Sequence, residues 1–173
     1  MQPTQKGFSL IELLVTCSII LFLLIFILPP QTSLLKKSTN QILSSQLLHA
    51  IHLARTEAIA RRTLITLCGS KDKKTCSSDW INSYIIQAEQ NSIYIFENTS
   101  KGVLHWRAFP HNKNILQFLP SGESVENGTY WYCEKGKISP SWSIAVNKAG
   151  RARLIYPNKK GKIHNAKGEP LLC

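Results

Sequence analysis

Apolar and polar positions divide the chain into three stretches of different period. From Phe8 to Leu28 the residues are apolar almost throughout, with Glu12 the single ionisable side chain among 21 positions. A helix of about 20 such residues spans a hydrocarbon core of roughly 30 Å, so this stretch is expected to cross a membrane. A secretory signal peptide would carry a shorter apolar core followed by a small-residue cleavage site. Here Leu28 is followed by Pro29-Pro30 instead. Lys6 lies just ahead of the span, which places the N-terminus on the cytoplasmic side.

The second stretch has helical period. Leu43, Leu47, Ala50, Ile51, Ala54 and Ala58 recur at spacings of three and four, one apolar stripe on a helix from Ser33 to Arg62. Gln41, Ser45, His49, His52, Arg55 and Arg62 lie mostly off the stripe, which is expected to pack on a sheet. From Leu64 the period changes to that of strands. Candidates are Leu64–Cys68, Tyr84–Ala88, Ser92–Phe96, Val103–Phe109, Ile115–Leu119, Thr129–Cys133, Ser143–Val146 and Arg151–Tyr156. Glu89-Gln90-Asn91 joins the second and third of these as a hairpin. Pro110, Ser121-Gly122, Asn127-Gly128 and Ala149-Gly150 mark further turns. The expected fold class is α+β, a long N-terminal helix against an antiparallel β domain, with no repeat and no linker beyond Pro30.

Cysteine and charge refine this picture. Cys17 falls inside the apolar span, leaving Cys68, Cys76, Cys133 and Cys173, which allow three pairings. Cys68–Cys76 with Cys133–Cys173 is favoured. The first pair would close the polar loop Gly69–Thr75, and the second would tie the last residue to the sheet. Each would contribute about 2–4 kcal/mol. A four-cysteine zinc site lacks the close pair spacing of metal knuckles. His49 and His52, three apart, have no carboxylate or cysteine spaced to complete a metal site with them. No histidine sits in a nucleophile, metal-hydrolase or phosphate-loop motif, and Asp72, Asp79, Glu89 and Glu97 form no acid/base pair, so neither an enzyme nor a cofactor is expected. The formal net charge is +11, which points to a polyanionic partner, whether nucleic acid or membrane surface. Residues 129–173 hold nine Lys/Arg against Glu134 and Glu169, +7 of that total.

Glu12 is the anomaly in the span, since an intramembrane carboxylate is expensive and marks function. Its surroundings, Lys6-Gly7-Phe8-Ser9-Leu10-Ile11-Glu12, resemble the processing site of type IV prepilins. The resemblance implies that a prepilin peptidase cuts after Gly7, that Phe8 is then N-methylated, and that Glu12 pairs with the free amine of a neighbouring subunit. A buried charge is tolerated when paired, and pairing can specify register. Pro29 fits the bend that family members place near the end of the span. Cys68, Cys76 and Trp80, then Phe118-Leu119-Pro120-Ser121-Gly122, and Ile144-Ala145-Val146-Asn147-Lys148-Ala149-Gly150-Arg151-Ala152-Arg153 resemble the FimT/GspH group of minor pilins and pseudopilins. The group fold is a long helix followed by two antiparallel sheets. The FimT branch serves type IV pili and can bind DNA during natural transformation, whereas the GspH branch belongs to the type II secretion pseudopilus.

The resemblance implies a leader over residues 1–7, a transmembrane half-helix over 8–30, an amphipathic half over 31–62 and a periplasmic β domain over 63–173. It implies a single-pass inner-membrane protein incorporated into a pilus or pseudopilus, with other pilins and the prepilin peptidase as partners. An oxidising compartment outside the inner membrane suits the disulfides. Gly150-Arg151-Ala152-Arg153 resembles the Gly-Arg-x-Arg motif of DNA-binding FimT proteins. A four-residue turn, Asn147–Gly150, would present it, and residues two apart on a strand share a face. Guanidinium forks bind phosphate oxygens in pairs. The expected DNA site therefore centres on Lys148, Arg151 and Arg153, with Lys135, Lys137, Lys159, Lys160 and Lys162 contributing less. Contact with the backbone alone carries no sequence preference. DNA binding ranks ahead of a merely solvated basic hairpin, and ahead of a pseudopilin or structural pilin that binds only other subunits.

Overall fold

A computed structural model describes residues 7, 9–27, 32–98, 102–109, 113–165 and 168–173. The chain divides into two units, residues 1–37 and 38–173. In the first, Leu10–Ile27 forms helix α1. Ser9 accepts the first backbone bonds, from Glu12 and Leu13, and Glu12 lies in the first turn, where the helix dipole favours an anion. Thr16 and Ser18 donate their hydroxyls to the carbonyls of Leu13 and Leu14 at 2.9 and 2.8 Å, which satisfies both donors within the helix. Every side chain from Leu10 to Leu24 is exposed. A helix apolar on all sides needs lipid or other helices around it. The 18 residues of α1 rise about 27 Å at 1.5 Å each. Among the described residues no helix is long and apolar enough to cross a membrane. The expected span also includes Phe8 and residues 28–30, which lie outside the described set, as does the expected bend at Pro29.

Helix α2 covers Thr32–Arg61, and from Ser38 onward it belongs to the second unit. Its stripe is the one the sequence marks: Leu43, Leu47, Ala50, Ile51, Ala54 and Ala58 are all buried. The alanines at every fourth position form a low ridge, which lets the helix backbone approach the sheets closely. Arg62 closes the helix with a left-handed φ of 55°.

Two four-stranded antiparallel sheets follow. Sheet A, in the order β3-β2-β1-β5, contains β1 (Ile65–Ser70), β2 (Ser83–Ala88), β3 (Asn91–Glu97) and β5 (Ile115–Phe118). Sheet B, in the order β4-β6-β7-β8, contains β4 (Val103–Phe109), β6 (Asn127–Cys133), β7 (Trp142–Val146) and β8 (Ala152–Ile155). The β2–β3 turn uses two residues rather than three: Glu89 and Gln90 carry φ of 48° and 69°, and Asn91 already pairs with Ala88. Positive φ at both central positions matches the turn twist to that of the strands. One core joins α2 to the inner faces of both sheets, through Ile65, Leu67, Ile86, Leu116 and Phe118 from sheet A and Leu104, Tyr130, Tyr132, Trp142 and Ile144 from sheet B.

The outer faces are covered by different means. On sheet A the Cys68–Cys76 disulfide holds a loop over Ser83, Ile85 and Gln87, all buried. Gln87 there donates to the Lys74 carbonyl at 2.7 Å. On sheet B the C-terminal segment folds back: Ile163 and Leu171 pack on Trp131 and Cys133, and Cys133–Cys173 pins the end. The four thiols expected to pair thus join in the same two pairs, and Cys17 is free.

Candidate nucleic-acid interface

The C-terminal segment covers only part of sheet B. The remainder of the outer face is an open cleft of about 1020 Å³. Strand alternation sets its floor. Trp106, Tyr130, Ile144 and Leu154 point into the core, so their neighbours Arg107, Thr129, Ala145 and Arg153 point outward. These four stand in register across the sheet, Arg107 opposite Thr129, Thr129 opposite Ala145 and Ala145 opposite Arg153. With strands about 4.8 Å apart, the backbones of Arg107 and Arg153 are separated by roughly 14 Å. Arg151 and Phe109 line the same cleft at the turn end, and Asn165 and Glu169 line it from the C-terminal segment.

The turn that carries Arg151 is held from three sides. Gly150 N–H donates to the Asn147 carbonyl at 2.9 Å, and the Asn147 side chain accepts from Arg151 N–H at 3.0 Å. Ser124 donates its N–H to the Lys148 carbonyl and its hydroxyl to that of Asn147. Below, Arg55 of α2 donates from Nε to the Gly122 carbonyl at 2.9 Å. Gly150 has a φ of 71° and lies so close that a Cβ there would meet that same carbonyl oxygen at 2.2 Å. Only glycine fits at position 150, where φ is positive and the Gly122 carbonyl leaves no room for a Cβ.

Not every basic residue of the expected site reaches the cleft. Arg151 and Arg153 are brought together there, both exposed. Arg151 precedes β8 rather than lying within it. Lys148 turns the other way, its ammonium donating to the Val125 carbonyl. Lys135 and Lys137 follow the end of β6 away from this turn, where Lys137 pairs with Glu134 at 2.9 Å. Burial opposes ionisation of Glu134, but Ser141, Lys137 and Asn40 outweigh it and hold its carboxyl below the usual range. Lys159, Lys160 and Lys162 follow the corresponding end of β8, in and beside an Asn158–Gly161 turn. Gly7 and Glu12 belong to the first unit, and Phe8 lies outside the described residues. Among the described residues no cluster of three His, Cys, Asp or Glu side chains could hold a metal ion.

Sequence reasoning missed Arg107, because a charge count over 129–173 does not see a strand paired to that segment. The signal was present in the alternation Val103, His105, Arg107, Phe109 along one face of β4. The Arg107 guanidinium lies 5.3 Å from the Trp131 ring centroid, and His105 stacks on the same indole at 5.1 Å. Burial holds the His105 imidazole below its usual pKa, so it adds no charge at neutral pH.

The family model for type II transport protein GspH matches residues 43–150, and that for the prokaryotic N-terminal methylation motif matches residues 3–28. The first match ends at Gly150, one residue short of the arginines. No curated protein matches the chain. Among solved structures, the fold resembles the type IV minor pilin FimU of Pseudomonas aeruginosa in two crystal forms. One shares 22% identity over 66% of this chain and 90% of FimU, with a TM-score of 0.51. The other shares 21% over 73% and 92%, with a TM-score of 0.52. The minor pseudopilin EpsH of the Vibrio cholerae type II secretion system shares 18% identity over 71% of this chain and 97% of its own, with a TM-score of 0.51.

Proposed function

The chain belongs to the GspH family of minor pilins and pseudopilins, matched over more than half its length, and from that premise we propose that it is a minor type IV pilin that captures DNA for natural transformation. The observation that supports this most is the convergence of Arg151 and Arg153 on one open cleft beside a third arginine. Phosphate oxygens are the ligand that guanidinium pairs suit best. The proposed activity is binding and assembly, without catalytic turnover. Cleavage after Gly7, methylation of Phe8, pairing of Glu12 with a neighbour's amine, and anchoring of residues 8–30 in the inner membrane with the β domain outside complete the proposal.

The test is a salt titration of the full chain, in detergent micelles, against labelled duplexes of unrelated sequence. Affinity should fall steeply with salt and alike for every sequence, because each neutralised phosphate releases counterions. Arg151→Gln and Arg153→Gln should each flatten the log–log salt slope by roughly 0.9, and the double change should nearly abolish binding. Lys113→Gln, exposed and outside the basic segment, serves as the charge-matched control; equal loss there would reduce the effect to net charge. The second reading is a GspH-like secretion pseudopilin or a structural pilin without DNA binding. It is favoured by the family description and by the likeness to EpsH, and it takes over if no salt-sensitive binding is found.

A further inference from the structure

We infer that the end of the β domain beside the point where the chain enters it docks on an anionic phospholipid surface, through Lys135, Lys137, Lys159, Lys160 and Lys162 and the exposed aliphatic pair Ile138 and Leu172. This rests on the membrane-anchoring part of the reading above, not on DNA binding. It gives a role to the lysines that the fold carries away from the arginine cleft.

The first observation is placement. The chain enters the second unit at Ser38, and only residues 28–37 separate that point from α1. Two contacts set the lysines beside this entry. Asn40 of α2 donates to the Glu134 carboxylate just after β6, and the Tyr156 hydroxyl, just after β8, lies 3.5 Å from that of Ser44. Lys135 and Lys137 follow Glu134, and Lys159, Lys160 and Lys162 follow Tyr156. The arginine turn sits at the opposite end of the domain, where Arg55 holds Gly122. Asn40 and Arg55 lie about 22 Å apart along α2, at 1.5 Å per residue.

The second observation is that this end combines unbalanced positive charge with open apolar side chains. Lys135, Lys159, Lys160 and Lys162 are exposed, and among the described residues they make no ion pair. Glu134, the carboxylate beside them, is already taken by Lys137, Asn40 and Ser141. At the same end of sheet A the charges cancel instead, Lys71, Lys73 and Lys74 against Asp72, Asp79 and Glu97. Ile138 and Leu172 stand 77% and 63% exposed. They are neighbours, because Cys173 N–H donates to the Ile138 carbonyl at 2.9 Å, and the Cys133–Cys173 disulfide fixes them there. A nucleic acid could meet the ammonium groups but offers the aliphatic pair nothing. A bilayer offers both: headgroup phosphates for the lysines and an acyl boundary for Ile138 and Leu172. Long lysine stems let the charge stay at headgroup level while the aliphatic side chains enter. Docked this way, the domain keeps its arginine turn at the end away from lipid.

The experiment reconstitutes the full chain in vesicles of phosphatidylcholine, alone or mixed with phosphatidylglycerol, and exposes them briefly to an amine-acetylating reagent. Peptide mass spectrometry then reads each lysine separately. Lys135, Lys137, Lys159, Lys160 and Lys162 should react several-fold more slowly on the anionic vesicles, and high salt should remove the difference by screening. Lys148, at the arginine turn, should react alike on both. Lys159→Gln should speed acetylation of Lys135 and Lys137 on anionic vesicles by up to about 5-fold, the equivalent of about 1 kcal/mol for one lysine near such a surface. Ile138→Asp should speed it too, with Lys148 unchanged as the sign that the fold is intact. Equal rates on the two kinds of vesicle overturn the inference. So does protection that depends on the protein-to-lipid ratio, which marks a contact between copies of this chain. A duplex that protects these lysines on neutral vesicles better than anionic lipid does would return them to the DNA site and also overturn it. Flotation separates the two readings. A chain that floats with neutral vesicles but shows equal rates is anchored and does not dock. One that floats only with anionic vesicles, its lysines protected, docks without the anchor.

Discussion

Replacing Gly150 by alanine tests how the arginine turn is held. Gly150 and Gly136 both have positive φ, 71° and 82°, but their surroundings differ. A Cβ at Gly136 would meet nothing within 4 Å, whereas one at Gly150 would overlap the Gly122 carbonyl oxygen at 2.2 Å and approach Arg55 Nε at 3.1 Å. Gly136→Ala should therefore cost only the left-handed backbone penalty, about 1 kcal/mol. Gly150→Ala carries the same penalty and must also push the hairpin away from the turn at Gly122. The Arg55 hydrogen bond to that carbonyl is then strained or lost, and a bond to a charged donor is worth about 1.5–3 kcal/mol. The total is about 2.5–4 kcal/mol. Urea unfolding followed by tryptophan fluorescence would read it. With a slope of about 2 kcal/mol per molar, the midpoint should drop by roughly 1.2–2 M for Gly150→Ala and by roughly 0.5 M for Gly136→Ala. Because Arg151 follows directly, Gly150→Ala should also weaken DNA binding, and Gly136→Ala should not. Equal midpoint shifts for the two variants would refute the claim that contact with Gly122 and Arg55 fixes the turn.

Gly7→Val should leave the leader attached, since a branched side chain does not fit a site built for glycine; mass spectrometry of membrane extracts would show the heavier chain, and normal maturation would count against the prepilin reading. Glu12→Ala should mature normally yet enter fibres poorly, as judged by the amount recovered in sheared pili. Opening Cys133–Cys173, with a sequence separation of 40, should cost about 4 kcal/mol, against about 2.5 for Cys68–Cys76 with a separation of 8, on the chain-entropy account. Urea midpoints of the paired Cys→Ser variants would rank them. The Cys133–Cys173 variant alone should also loosen the cleft wall formed by Asn165 and Glu169.

The helix, the strand order along the chain and the family were legible in the sequence because each rests on local pattern. A stripe at spacings of three and four can bury only one side of a helix, so Leu43 through Ala58 identified the core face without any partner in view. The prepilin-like motif is likewise contiguous, from Gly7 to Glu12. Two of the three cleft arginines were also local, since Arg151 and Arg153 lie two residues apart at the start of β8. What required the tertiary structure was everything that depends on which strands are neighbours. Arg107 is separated from Arg153 by more than forty residues, and only the order β4-β6-β7-β8 places them on one row. Lys148 lies three residues from Arg151, but the fold turns its ammonium to the Val125 carbonyl. Net charge is additive along a sequence, but a binding surface is not. Side-chain direction is set by pairing register, and register is fixed by burial of the opposite face against α2, a long-range contact that local pattern does not encode.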